Sequence, residues 1–159
     1  MRVGIIGYGV VGKTRHHSIL KNTSFQVTSI SENNSQARED IPENIEVFDN
    51  YKSLIENANV DIVFISLPNK FAANATMLSL KKGLHVFCEK PPAKTLAQLA
   101  EVFLVSQQYP DLKLMYGFNH RFHHSVEHAK LIIEDNSLGR LINMRGVYGK
   151  SQMISFNQS

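Results

Sequence analysis

The chain has no tryptophan, one cysteine and five prolines in 159 residues, and only 19% of it is charged. A single cysteine excludes a disulfide framework. Gly, Ser or a charge interrupts every apolar stretch well before the ~18 residues that read as a membrane-spanning helix. Runs of one charge are missing too. The 17 Lys and Arg exceed the 14 Asp and Glu by three, and Lys81-Lys82 is the only adjacent basic pair. No basic run has aromatics interleaved through it, so no nucleic-acid partner is expected, and the weak positive balance suits a small anionic ligand. The apolar segment Val3–Gly12 lacks the cationic leader and small-residue cleavage site of a signal peptide. A cytoplasmic protein with one reduced thiol, Cys88, is expected.

Hydrophobic residues make up 43% of the chain, which excludes intrinsic disorder. A chain of this length buries roughly 70% of its unfolded surface. Short apolar runs alternate with amphipathic stretches, the pattern of βαβ units on a parallel sheet. Strands are predicted at Val3–Ile6, Phe25–Ser31, Val60–Leu67, Leu84–Cys88 and Leu114–Phe118. The run VDIVFISL at 60–67 is apolar almost throughout, as a central strand covered on both faces must be. Helices are predicted at Lys13–Lys21, Tyr51–Asn57, Lys70–Lys82 and Leu96–Gln108. Thr95 with Gln98 forms a capping box, and Gly83 after Lys81-Lys82 is a C-terminal signal. The fold class is therefore α/β, a Rossmann-type doubly wound parallel sheet spanning residues 1–120.

Residues 121–159 read as the start of a second, incomplete α/β domain. Phe122–Asp135 is predicted helical, with Val126, Ala129 and Ile133 on one face. Arg140–Gly149 alternates like a strand, with Ile142, Met144 and Tyr148 pointing one way. The polar tail Lys150–Ser159 offers that strand no partner.

Chemistry concentrates at two turns. The first strand runs into Gly7-Tyr8-Gly9-Val10-Val11-Gly12, directly before a helix. In a G-x-G-x-x-G turn the first glycine permits the tight bend, the second lets backbone approach a pyrophosphate, and the third lets helix and strand pack closely. The helix start then offers N–H groups and a positive dipole end to phosphate. Glu32 follows Gly12 by 20 residues, at the end of the second strand, where an acid binds ribose hydroxyls and repels a 2′-phosphate. NAD is the expected cofactor, with NADP as the alternative because Arg38 is close enough in sequence to reach a 2′-phosphate. The second turn is Glu89-Lys90-Pro91-Pro92, at the carboxyl edge of a parallel strand, where such folds place ligands. A lysine there suits proton transfer during hydride transfer. On its own, it reads first as a surface charge at a strand end.

Four segments in order, GYGVVG at 7–12, PNKFA at 68–72, GLHVFCEKPPAKT at 83–95 and GFNHRF at 117–122, resemble the Gfo/Idh/MocA family of oxidoreductases. The resemblance extends to about Gly149. It implies an N-terminal Rossmann domain for NAD(P), then an α/β domain with a large open sheet, and substrates such as sugars, cyclitols and nucleotide-linked sugars. It also implies a homo-oligomer formed through the second domain. Gly7, Tyr8, Gly9, Val10, Val11 and Gly12 match the cofactor turn, and Glu32 the ribose-binding acid. Pro68 and Asn69 match the loop beside the cofactor. Glu89, Lys90 and Pro91 match the EKP motif, with Lys90 as the catalytic lysine. Asn119 and Arg121 match a segment near the substrate. Ala72, Pro92 and His120 depart from residues common in the family. The family's acid–base histidine lies in a downstream Asp-x-x-x-His segment that these residues do not include, so the chain reads as a fragment.

Seven histidines raise the question of metal. His124-Ser-Val-Glu-His128 matches H-x-x-E-H, and His120 is in phase with both at i, i+4, i+8. No pattern supplies the further ligand that catalytic zinc needs, so no metal is expected, and a zinc hydrolase is the weakest reading. His16 and His17 are predicted on a solvated face, and His85 as a packing residue. Two readings of function follow. One is an NAD(P)-dependent oxidoreductase acting on a sugar-like hydroxyl; the other is a dinucleotide-binding module without catalysis.

Overall fold

Strand β1 (Arg2–Ile6) is buried from its second residue on, with Val3, Ile5 and Ile6 carrying no accessible surface. Successive side chains of a strand point to opposite faces. Val3 and Ile5 join Tyr8, Ile19, Val27 and Ile30 on one face of the sheet, while Ile6 joins Leu54, Val63 and Ala75 on the other. A strand apolar on both faces belongs at the centre of a parallel sheet, and β1 lies between β2 (Gln26–Ser31) and β4 (Ile62–Ile65). With β3 (Glu46–Phe48), β5 (His85–Cys88) and β6 (Leu114–Tyr116), the order is β3-β2-β1-β4-β5-β6, all pairs parallel. This is the Rossmann order, in which the winding reverses between β1 and β4.

The computed structural model describes residues 1–147 and 149. Its contacts divide into two compact units, Met1–Phe118 and Asn119–Ser159. In the first unit the helices are α1 (Val10–Ile19), α2 (Ser35–Arg38), α3 (Tyr51–Asn57), α4 (Asn69–Lys81) and α5 (Leu96–Gln107). The inner face of α4 is made of small residues, Ala72, Ala73, Ala75, Thr76 and Ser79, so the helix lies close on the sheet. Helix α5 starts at Thr95, whose hydroxyl accepts from Gln98 N at 3.3 Å. Gln98 Oε1 in return accepts from Lys94 N at 3.0 Å, one residue further back than a capping box requires.

Two elements of this unit carry no periodic sequence signal. Strand β3 is three residues at the sheet edge with Val47 exposed, and α2 is a single turn. Neither is long enough to show periodicity.

In the second unit a 3-10 turn (Asn119–Phe122) precedes α6 (His124–Glu134). His123 caps α6 with extended backbone, so His120 is not on the same helix as His124 and His128, and the predicted i, i+4, i+8 face is broken. The strand predicted over Arg140–Gly149 is a second correction. Among the described residues, 140–147 make no strand pairing. Alternation alone does not make a strand without a partner for its N–H and C=O groups. Tyr148 and the tail Lys150–Ser159 lie outside the described residues. Lys130 pairs with Glu134 at 3.4 Å along α6.

Candidate functional site

The turn between β1 and α1 closes so tightly that two of its glycines have no room for a side chain. Gly7 has φ +86°, and a Cβ on it would sit 2.8 Å from Ser66 O. A Cβ on Gly12 would sit 2.1 Å from Gly7 O. Above Gly9 the space is open. Gly9 is also the N-cap of α1, and no side chain caps that end. The first-turn N–H groups and the positive end of the helix dipole are thereby offered to an anion.

Glu32 fastens this turn to the end of β2. Its Oε2 accepts from Tyr8 N at 2.6 Å and its Oε1 from Asn34 N at 2.9 Å, while Gly7 N donates to Ser31 O at 2.9 Å. A carboxylate has about four acceptor sites, so capacity for ribose hydroxyls remains. A cleft of about 400 Å³ opens here, lined by Gly7, Gly9, Glu32, Asp49, Pro68 and Phe71 among others. These residues follow the carboxyl ends of β1, β2, β3 and β4, at the reversal point of the sheet. A larger groove of about 520 Å³ lies between α3 and α4, with Lys52, Lys81 and Lys82 in its walls. None of the motif residues lines that groove, and its lysines are ordinary helix-surface charges.

Burial separates the roles of two residues around the turn and corrects the expectation for one of them, His16. The Tyr8 side chain is core, only 4% exposed, so any part of Tyr8 in ligand binding is confined to its backbone. His16 is not on a solvated face. It is buried, with Nδ1 2.7 Å from the Tyr8 hydroxyl. Burial lowers the His16 pKa and raises that of Tyr8. The cause lies in how the turn folds back: α1 reads as polar, and the aromatic that meets His16 comes from the glycine turn just before it. His85 packs as expected, with Nδ1 accepting from Lys113 N at 3.0 Å.

Arg38 does not line the cleft. Its Nε donates to Glu32 O at 2.6 Å and its Nη2 to Asp49 Oδ1 at 2.7 Å. Asp49 was outside every motif. The only signal nearby is Asn50, which caps α3 by accepting from Ser53 N at 2.9 Å.

Beyond β5 the Glu89 carboxylate is buried, while Lys90 beside it is exposed and Pro91 follows through a cis peptide bond. Glu89 Oε1 accepts from Arg15 Nε at 2.6 Å, and Arg15 Nη2 pairs with the same oxygen. The Glu89 carboxylate therefore has a protein partner in Arg15, at a position where the resemblance implies a cofactor contact. Neither Lys90, Asn69 nor Val10, Val11 and Gly12 is among the lining residues of the cleft. Asn119 and Arg121 lie on the 3-10 turn of the second unit. Cys88 is fully buried and its thiol is pushed up to about 11, chiefly by burial, which removes it as a nucleophile. Among the described residues no group of three or more His, Cys, Asp or Glu is placed to hold a metal, and no helix is long and apolar enough to cross a membrane.

Residues 1–118 match the model of the Gfo/Idh/MocA oxidoreductase family, described by its NAD-binding Rossmann fold. The chain belongs to this family. Curated Gfo/Idh/MocA relatives include D-glucoside 3-dehydrogenase of Escherichia coli, 28% identical over 145 residues, covering 89% of this chain and 41% of the relative. Myo-inositol 2-dehydrogenase of Thermotoga maritima is 28% identical over 143 residues, covering 88% of this chain and 42% of its own length. Among solved structures, scyllo-inositol dehydrogenase from Lactobacillus casei, with bound NAD(H) and scyllo-inositol, superposes with a TM-score of 0.80. It is 26% identical and covers 87% of this chain and 42% of that one. The chain thus spans about two fifths of the length of these family members. The glycine turn, the uncapped start of α1 and Glu32 fit NAD, the cofactor of this Rossmann fold.

Proposed function

We propose that this protein transfers a hydride between NAD and a hydroxyl-bearing carbon of a sugar or cyclitol. The observation that carries the reading is the Glu32 carboxylate bonded to the glycine turn beside an uncapped helix start, at one end of the cleft. The dehydrogenases of glucosides and inositols among the relatives support the substrate class. Bound NAD supplies the nicotinamide carbon that exchanges the hydride.

The chain's own groups divide the remaining work. Backbone N–H groups of Gly9, Val10, Val11 and Gly12 hold the pyrophosphate, and Glu32 accepts from ribose hydroxyls. Pro68 and Asn69 flank the cofactor at the start of α4. Lys90 assists removal of the proton from the substrate hydroxyl during hydride transfer, and Pro91 shapes the turn that presents it. Glu89 holds that turn through Arg15. Asn119 and Arg121 orient the substrate. The protein works in the reducing cytoplasm, as a homo-oligomer built through the part that follows the cofactor unit.

Calorimetry of NAD with the 159-residue chain tests the reading directly. Saturable binding is expected, weakened at least about tenfold in Glu32→Ala, because the ribose contact and the tie to the glycine turn are lost together. No binding to the wild-type chain overturns it.

A further inference from the structure

Glu32 is not the only acid facing the adenosine end of the cleft. Asp49, on the turn after β3, lines the same space, and none of the residues lining it is a lysine, arginine or histidine. Arg38 is not among the lining residues, although both of its bonds go to residues that are. The segment that carries it is bonded in sequence: Asn34 N to Glu32 Oε1 at 2.9 Å, Gln36 N to Asn34 Oδ1 at 2.9 Å, and Arg38 Nε back to Glu32 O at 2.6 Å. Asp49 Oδ1 completes the arrangement at 2.7 Å from Arg38 Nη2.

We propose that Asp49 is a second determinant of cofactor choice, rejecting the 2′-phosphate of NADP both by its own charge and by holding Arg38 out of the cleft. The proposal rests on the reading of this cleft as the NAD site. A 2′-phosphate arriving beside Glu32 meets two carboxylates, and the Arg38 guanidinium is already paired with one of them. Asp49 is 86% exposed while Arg38 is 32% exposed, so Asp49 is the more easily altered member of the pair. Without the Asp49 charge, Arg38 keeps its anchor on Glu32 O and its Nη groups become donors for phosphate. Arginine suits that role because its planar fork matches a phosphate's oxygens.

The test is calorimetry of NAD and NADP with the wild-type chain, Asp49→Asn, Asp49→Ser, Arg38→Ala and the double variant Asp49→Asn/Arg38→Ala. Wild type is expected to prefer NAD. Each Asp49 variant is expected to shift the NADP-to-NAD affinity ratio about tenfold toward NADP, less at high salt. The double variant loses most of that shift. If wild type binds neither dinucleotide, the NAD reading of the cleft fails and the inference goes with it. If NAD binds but the ratio stays unchanged in both Asp49 variants, or the shift persists in the double variant, the role of Asp49 and Arg38 is overturned while the NAD reading stands.

Discussion

Arg15 on α1 and Glu89 after β5 form a largely buried ion pair, with Nε 2.6 Å from Oε1 and the guanidinium 5.0 Å from the Phe87 ring. The pair joins the helix that starts the phosphate site to the turn that carries Lys90. Gly117 leaves the space Glu89 occupies, since a Cβ there would lie 2.8 Å from Oε2 and 3.0 Å from Cδ. Gly117 N in turn donates to Cys88 O at 2.9 Å, which seats the end of β6 beside the same turn.

Removing one partner of this pair leaves an uncompensated charge. Arg15→Ala is expected to destabilise the chain by about 3 kcal/mol, more than a surface ion pair is worth. Gly117→Ala, which forces the pinned carboxylate to move, is expected to lose about 1–3 kcal/mol. Urea unfolding measures both. In the Arg15→Ala background the Gly117→Ala loss should shrink, because Glu89 is then able to yield; strictly additive losses contradict the coupling.

Gly9 and Gly12 should separate binding from folding. Gly12→Ala places a methyl 2.1 Å from a backbone oxygen, so both stability and NAD binding are expected to fall sharply. Gly9→Ala meets nothing within 4 Å. Its unfolding free energy should stay within about 0.5 kcal/mol of wild type, while NAD affinity falls because the methyl occupies the space a pyrophosphate needs. Thermal unfolding with and without NAD distinguishes the two, and an unaffected NAD affinity in Gly9→Ala counts against the phosphate site.

The buried His16 makes stability depend on pH. Its folded-state pKa is lowered by burial from the ordinary 6.5. The unfolded chain therefore binds the proton more readily, and the contribution is fully present above about pH 6.5 and lost as pH falls toward the folded value. Wild type should lose more stability than His16→Gln between pH 8 and 5.5, measured by urea midpoints. Parallel curves for the two proteins remove His16 from the account.

Lys90 is exposed and outside the walls of the cofactor cleft. Lys90→Ala is therefore expected to leave NAD affinity within about twofold while turnover of a sugar or cyclitol substrate, in the protein that includes this chain, falls by about 10²-fold or more. Calorimetry and steady-state kinetics give the two readouts. Normal turnover removes the assignment, and a fall in NAD affinity alone makes Lys90 a binding residue.

Much of the first unit was legible along the chain because its signals are local. The apolar runs of β1 and β4, the Thr95 cap and the predicted helix Tyr51–Asn57 coincide with elements that form. The glycine turn was legible for the same reason, since its geometry admits only hydrogen at two positions. Strand β3 and helix α2 were not, because three or four residues hold no period. The alternating run from Arg140 shows the converse: a pattern without a partner strand does not pair among the described residues.

The scarcity of cysteine, of long apolar runs and of clustered charge excluded a disulfide framework and left a hydrophobic core, divided between the two faces of the sheet, to carry the stability. The order of strands and glycines determined that this core supports a dinucleotide turn. What touches the turn was decided only by tertiary structure. His16 is buried because Tyr8 lies over it, Glu89 is occupied because Arg15 reaches it, and Arg38 is held because Asp49 arrives from β3. Each pair joins residues from different elements, and a side chain's charge, exposure and partner depend on what the sheet brings beside it, which no local pattern encodes.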